Sequence, residues 1–208
     1  MFFYYHLLFL QVHCDKEYVY PRESLNAMAE LGLLGLVVPE EMGGLGASHT
    51  FATIIVETLA RYGCPSTAMI YDPEPDNTRM YCGLSLVFFS SRAVMHLGAC
   101  AVLLLRHHNN PKIKDLLSRL NKEKLVGTLA YSDPATGGHF WFPMSSKAKT
   151  VDKDNVKLLK YGSWATSAGH ADWYAMQTVS PDFSGDYSDL SGFLIFKVTD
   201  SLNHCCSL

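Results

Sequence analysis

Two hydrophobic rhythms divide this chain, and nothing else constrains its fold as strongly. Up to about residue 123 the apolar residues recur at helical spacing, and beyond Lys124 they alternate at strand spacing. Pro21 can open a helix that carries Leu25, Met28 and Ala29 on one face and stops at Gly32 and Gly35. Ser48 can cap a second, whose Phe51, Ile54, Ile55, Leu59 and Tyr62 form an apolar stripe ending near Gly63 and Pro65. Val94 to Leu105 is apolar on nearly every side, as in a buried helix. Pro111 opens another, with Ile113, Leu116, Leu117 and Leu120 facing inward. Then Leu125–Tyr131, Lys147–Val151, Val156–Tyr161, Ser163–Ser167, Trp173–Val179 and Gly192–Val198 read as short strands punctuated by Gly, Asp, Asn and Pro. Helices first and strands second predict an α+β protein in two segregated units, not alternating βαβ.

The expected organisation is a non-native-looking start over 1–20, a helical domain over 21–123, a β domain over 124–200 and a tail over 201–208. Met1 to Leu10 is apolar but too short to span a bilayer, and it has neither a basic start nor a small-residue cleavage site. A formal net charge of -3 gives no bulk attraction for nucleic acid or an anionic membrane, so neither is expected as a partner. Hydrophobic residues at 48% and charged residues at 18% suit a soluble, intracellular globular protein rather than a disordered one. The six cysteines form no CxxC pair and read as reduced thiols. His107 and His108, at the end of an apolar run, suit a C-terminal cap better than a metal site.

Three stretches have the composition of a binding site. Pro39-Glu40-Glu41-Met42-Gly43-Gly44-Leu45-Gly46 is not a dinucleotide fingerprint: the third glycine is missing and no acidic residue follows at the end of a second strand, since Glu57 lies within the next helix, so it reads as a tight loop between helices. Ala130-Tyr131-Ser132-Asp133-Pro134-Ala135-Thr136-Gly137-Gly138-His139 runs a strand into a turn. That turn either offers backbone N–H groups and a hydroxyl to a phosphate or polar ring edge, or is an ordinary β-turn. Trp164-Ala165-Thr166, read as a strand, places an indole and a hydroxyl on one face. That pairing suits a flat heteroaromatic ligand, and equally a Trp filling a β core.

Together these stretches resemble the acyl-CoA dehydrogenase family. Its Leu-Gly-x-x-Gly-x-x-x-Pro-Glu-x-x-Gly-Gly stretch is matched by Leu31-Gly32, Gly35, Pro39-Glu40 and Gly43-Gly44. Its Thr-Glu-Pro-x-x-Gly-Ser-Asp turn is similar to Ser132 through His139. Its Trp-Ile-Thr strand and following Ala-Asp-Trp-Tyr stretch are similar to Trp164-Ala165-Thr166 and Ala171-Asp172-Trp173-Tyr174. The order and intervals agree over about 22–71 and 94–198. Gly138 stands for the family's serine, His139 for its aspartate and Ala165 for a bulkier residue, departures that bear on substrate choice. Residues 72–93 interrupt what is a continuous helical run in the family, and joining Tyr71 to Val94 would restore it. They are expected to be an insertion or retained intron.

The resemblance implies a small β-barrel-like middle domain, with the family's C-terminal helical bundle missing from this chain. It implies FAD-dependent α,β-dehydrogenation of an acyl-CoA thioester, with electrons passed to an electron-transferring flavoprotein and the full-length protein a homo-oligomer. It implies a mitochondrial-matrix protein if eukaryotic and a cytoplasmic one if bacterial. The flavin would be held by Leu129, Ala130, Tyr131, Ser132, Gly137, Trp164, Ala165 and Thr166, and the substrate would pass Gly138. The family's catalytic glutamate lies in the C-terminal domain, so no catalytic residue is assigned here, and the chain alone is expected to be inactive. The rivals are a flavin monooxygenase or nitroalkane oxidase on the same fold, and a non-catalytic remnant.

Overall fold

The computed structural model describes residues 20–62, 91–135, 145–185, 189–197 and 205–207. The chain divides into two compact units, 1–126 and 127–208. Among the described residues the first unit is helical and the second is built of strands, an α+β arrangement.

In the first unit, α1 (Arg22–Glu30) buries Ser24, Leu25, Met28 and Ala29, one stripe of a helix. Pro21 sits just before it rather than in its first turn. Gly32 stops it, adopting a left-handed φ of 78° while its N–H returns to the Ala29 carbonyl. In α2 (His49–Tyr62) the Ser48 hydroxyl accepts the Phe51 N–H, as a cap should. The buried stripe of α2 is not the expected one. Phe51 and Ile54 are 51% and 52% exposed, while Ala52, Ile55 and Val56 pack against Leu36 and Leu97. The neighbouring elements select one of two adjacent apolar rows.

The third helix, α3 (Ser91–Leu104), buries Ala93, His96, Leu97, Ala99, Cys100 and Leu103 but exposes Val94, so it is wet along one edge. Its first turn, Ser91 to Ala93, is the end of the segment expected to be inserted; residues 72–90 lie outside the described residues. His107 closes its end, with Nδ1 2.6 Å from the Leu104 carbonyl. The Asn110 side chain then accepts the N–H groups of Lys112 and Ile113 and starts α4 (Pro111–Arg119), whose Ile113, Leu116 and Leu117 are buried with Leu120 beyond them.

The second unit holds a four-stranded sheet and a two-stranded sheet. β1 (Gly127–Ala130) lies parallel to β4 (Trp173–Val179). β4 pairs antiparallel with β5 (Leu190–Phe196), and β5 pairs with β6 (Cys205–Ser207). β2 (Lys147–Thr150) and β3 (Val156–Leu159) form the other, antiparallel sheet. Trp173, Ala175, Phe193 and Leu194 make the buried centre of the large sheet. Residues 163–167, expected as a strand, are not one. They lead into a turn over 166–170 in which Ser167 and Gly169 have φ of 62° and 76°.

Candidate functional site

The glycine-rich loop of the first unit is a piece of architecture. Leu45, Gly46 and Ala47 donate their N–H groups to the carbonyls of Gly35, Val38 and Leu36, folding the Pro39–Gly44 turn back on the preceding segment. A Cβ on Gly44 would lie 2.0 Å from the Val38 carbonyl oxygen, so no side chain fits there. The Asn121 Oδ1 accepts the Gly35 N–H at 3.0 Å, and its Nδ2 lies 3.5 Å from the Gly43 carbonyl. Glu40 and Glu41 are exposed in this turn, and nothing there makes either a general base.

The second unit brings two of the expected site stretches together. β1 carries Leu129 and Ala130 to its end, and the chain continues through Tyr131 and Ser132 to the buried Asp133. The Ser132 hydroxyl donates to the Trp164 carbonyl at 2.7 Å and accepts the Trp164 N–H at 2.9 Å. A serine hydroxyl has one donor and two acceptor positions. Ser132 therefore keeps one lone pair to offer and no proton. The expectation that it serves a ligand directly narrows to acceptance of a single hydrogen bond.

Clasped in this way, Trp164 is not a core residue: its side chain is 82% exposed. Ala165 and Thr166, half-buried, follow it into the 166–170 turn, so the indole and the Thr166 hydroxyl are not related by strand periodicity. Gly137 and Gly138 lie outside the described residues, as do Thr136 and His139.

Asp133 is the polar centre of the turn. Its Oδ1 accepts the N–H groups of Ala135 at 3.0 Å and Ser145 at 3.1 Å. Burial by itself would raise this carboxyl. The hydrogen bonds from Ala135 and Ser145, with the nearby Lys160 charge, outweigh it and hold the group below its ordinary value. Lys160 is itself buried. Its Nζ donates to the Tyr131 carbonyl at 3.1 Å and lies 4.0 Å from Asp133 Oδ2. Burial pulls the ammonium down by more than the carboxylate pushes it up. Sequence reasoning did not single out Lys160, which lies in the Val156–Tyr161 stretch read as a short strand.

In α3, Cys100 is fully buried, its Sγ 3.6 Å from His96 Nε2, and burial pushes the thiol strongly up, which makes it inert. Among the described residues no three His, Cys, Asp or Glu side chains group as metal ligands, and no helix is long and apolar enough to cross a membrane.

A helical unit followed by a β unit, with the Ser132 turn locked to the Trp164 loop, defines the class: a two-unit α+β protein. The family model described as "Acyl-CoA dehydrogenase, N-terminal domain" matches residues 7–77, reaching into both the start and the segment set apart above. The short-chain specific acyl-CoA dehydrogenase, mitochondrial, of Homo sapiens is 40% identical over 188 residues, and that of Rattus norvegicus is 29% identical over 191. Each match takes in 90% of this chain and 39% of the relative. The solved "FAD complex of PigA" superposes with a TM-score of 0.69 at 21% identity, covering 95% of this chain and 46% of that one. The chain is related to the acyl-CoA dehydrogenase family over about nine-tenths of its length, and it spans 39% of the length of these curated relatives.

Proposed function

We propose that this chain is the helical and β part of an FAD-dependent oxidoreductase that dehydrogenates acyl-CoA thioesters. The observation that carries the reading is the Ser132–Trp164 clasp. It joins two stretches that resemble the family's flavin-contacting motifs, and it presents an indole that is 82% exposed. An exposed aromatic plane carried on a clasped backbone suits a flat ring, which would stack on it and cover its apolar face.

The residues present fit the cofactor in part. Trp164 would cover the ring, the Ser132 lone pair and the Thr166 hydroxyl would meet its polar edge, and backbone groups of Leu129, Ala130, Tyr131 and Ala165 would line the approach. By resemblance, Gly137 would be added to the cofactor-binding residues and Gly138 to the substrate-binding ones. When bound, FAD supplies the hydride acceptor. The chain's own contribution is to orient the ring and exclude water. No residue of this chain is assigned to removal of the α proton. The two sheets would be walls of the small β barrel, 72–93 an insertion within the helical domain, and the acceptor of the electrons an electron-transferring flavoprotein. The full-length protein would be a homo-oligomer.

The reading is tested by titrating the purified chain with FAD and following quenching of flavin fluorescence. Saturable quenching that weakens in Trp164→Ala supports it. Quenching indifferent to Trp164, or none, removes it.

A further inference from the structure

We propose that Lys160 is a positioning residue for the flavin site: braced against Asp133 and the Tyr131 carbonyl, it holds the Tyr131–Asp133 turn where the Ser132 hydroxyl clasps the Trp164 backbone. The role assigned to the site rests on the FAD reading above; the brace itself does not.

The side chain of Lys160 is 4% exposed and that of Asp133 fully buried, so both charges are largely withdrawn from water. Such a pair needs compensation from its surroundings, and here it comes from the turn backbone. Asp133 Oδ1 accepts from Ala135 and Ser145, while Oδ2 has no hydrogen-bond partner and faces the Lys160 ammonium at 4.0 Å. One of the ammonium's three donors goes to the Tyr131 carbonyl.

The connectivity gives this placement its consequence. Tyr131 and Ser132 are adjacent on one segment, and Lys160 and Trp164 lie four positions apart on another. The two segments are tied at Lys160 Nζ–Tyr131 O and again at Ser132 Oγ–Trp164 N and O. Two ties between two short segments close a small ring, and opening one lets the other swing. The Lys160–Asp133 ion pair adds to the first of these ties, and between them Tyr161, Gly162 and Ser163 are exposed. The placement of the Trp164 backbone, and with it the point from which the ring projects, therefore depends on the buried Lys160 charge.

The test uses Lys160→Met, which keeps the stem volume and removes the charge, Asp133→Asn, and the double variant. Amide exchange is measured in the whole chain without ligand, and FAD affinity by fluorescence quenching. The expected result is that either single variant lowers protection of the Trp164 amide by about tenfold, the scale of a lost charged hydrogen bond. Protection of the Ala175 and Leu194 amides in the sheet stays unchanged, and the double variant is no worse than the poorer single one. FAD affinity falls in the same proportion.

A Trp164 amide unaffected in Lys160→Met, or an equal loss throughout the sheet, would overturn the proposal, leaving Lys160 as filler or as a general stability element. Should Lys160→Met fail to fold, Asp133→Asn decides alone, since a space-filling lysine predicts no effect there on Trp164. If the unaltered chain binds no FAD, the functional reading fails while the exchange measurement still judges the brace.

Discussion

The Trp173 indole lies flat across Gly127 on the neighbouring parallel strand, so close that a Cβ at 127 would fall 2.1 Å from the ring. The pair sits at the start of the large sheet, where Trp173 is fully buried and Gly127 is its register partner. Gly127→Ala must therefore push the indole or separate β1 from β4. The expected cost is about 3 kcal/mol, the upper range for overpacking, read as a lower denaturation midpoint of the β unit. Gly169→Ala is the control: its φ is 76° with nothing within 4 Å, so only backbone strain of about 1–2 kcal/mol is at stake. Equal losses in the two variants would show that the contact at Gly127 is relieved without cost.

Asn121 should behave as the latch of the glycine loop. Its side chain accepts from Gly35 and reaches the Gly43 carbonyl, in space that a Cβ on Gly35 would occupy, 2.6 Å from Nδ2. Asn121→Ala leaves the Gly35 N–H without that acceptor and should destabilise the helical unit by about 1–2 kcal/mol. Asn121→Asp keeps the acceptor and should recover part of the loss. Chemical denaturation followed by helical circular dichroism distinguishes the two.

The acid limb of stability should carry the signature of Asp133. Its carboxyl is held below its ordinary value in the folded chain, so the unfolded chain binds the proton first as pH falls. The stabilisation is present above the unfolded value of about 4 and is lost as pH drops through the folded value. Melting temperatures of the β unit should fall as pH drops below about 4, and Asp133→Asn should flatten that limb. An identical acid limb in the variant would mean that other carboxylates set it.

How much of this was legible in the sequence depends on whether local chemistry or distant packing decides each position. α4 was legible because Ile113, Leu116, Leu117 and Leu120 make a single apolar row behind an Asn–Pro start. α2 offered two rows, and only Leu36 and Leu97, far away in sequence, choose Ala52, Ile55 and Val56 over Phe51 and Ile54. Residues 163–167 have strand-like side chains, but the Trp164 backbone is claimed by Ser132 and Ser167 takes a left-handed φ, so no ladder forms. The buried Lys160 could not be read from its neighbours, because its burial follows from Asp133 and Tyr131 arriving from another segment. At the site the sequence set out the Ala130–His139 and Trp164–Thr166 stretches, but that Ser132 clasps the Trp164 backbone could not be read from either alone.

Trp164 and Trp173 give the sharpest separation between function and stability. Trp173 is wholly buried and Trp164 is 82% exposed, so truncation should act on different properties. Trp173→Ala removes a core side chain and should cost about 3–5 kcal/mol, enough to unfold a marginal unit. Trp164→Ala removes a ring that rests mostly on solvent, while the backbone atoms that Ser132 holds are still present. Its stability should change by no more than about 0.5 kcal/mol. If the exposed ring is there to cover FAD, the same substitution should weaken flavin binding by about 1–3 kcal/mol, the scale of one heteroaromatic ring stacked on an aromatic side chain. The measurement pairs a thermal melt with an FAD titration on each variant. A Trp164→Ala protein that melts normally and binds FAD normally would leave the exposed indole without the role assigned to it. One that melts early would place the ring in packing that its exposure contradicts.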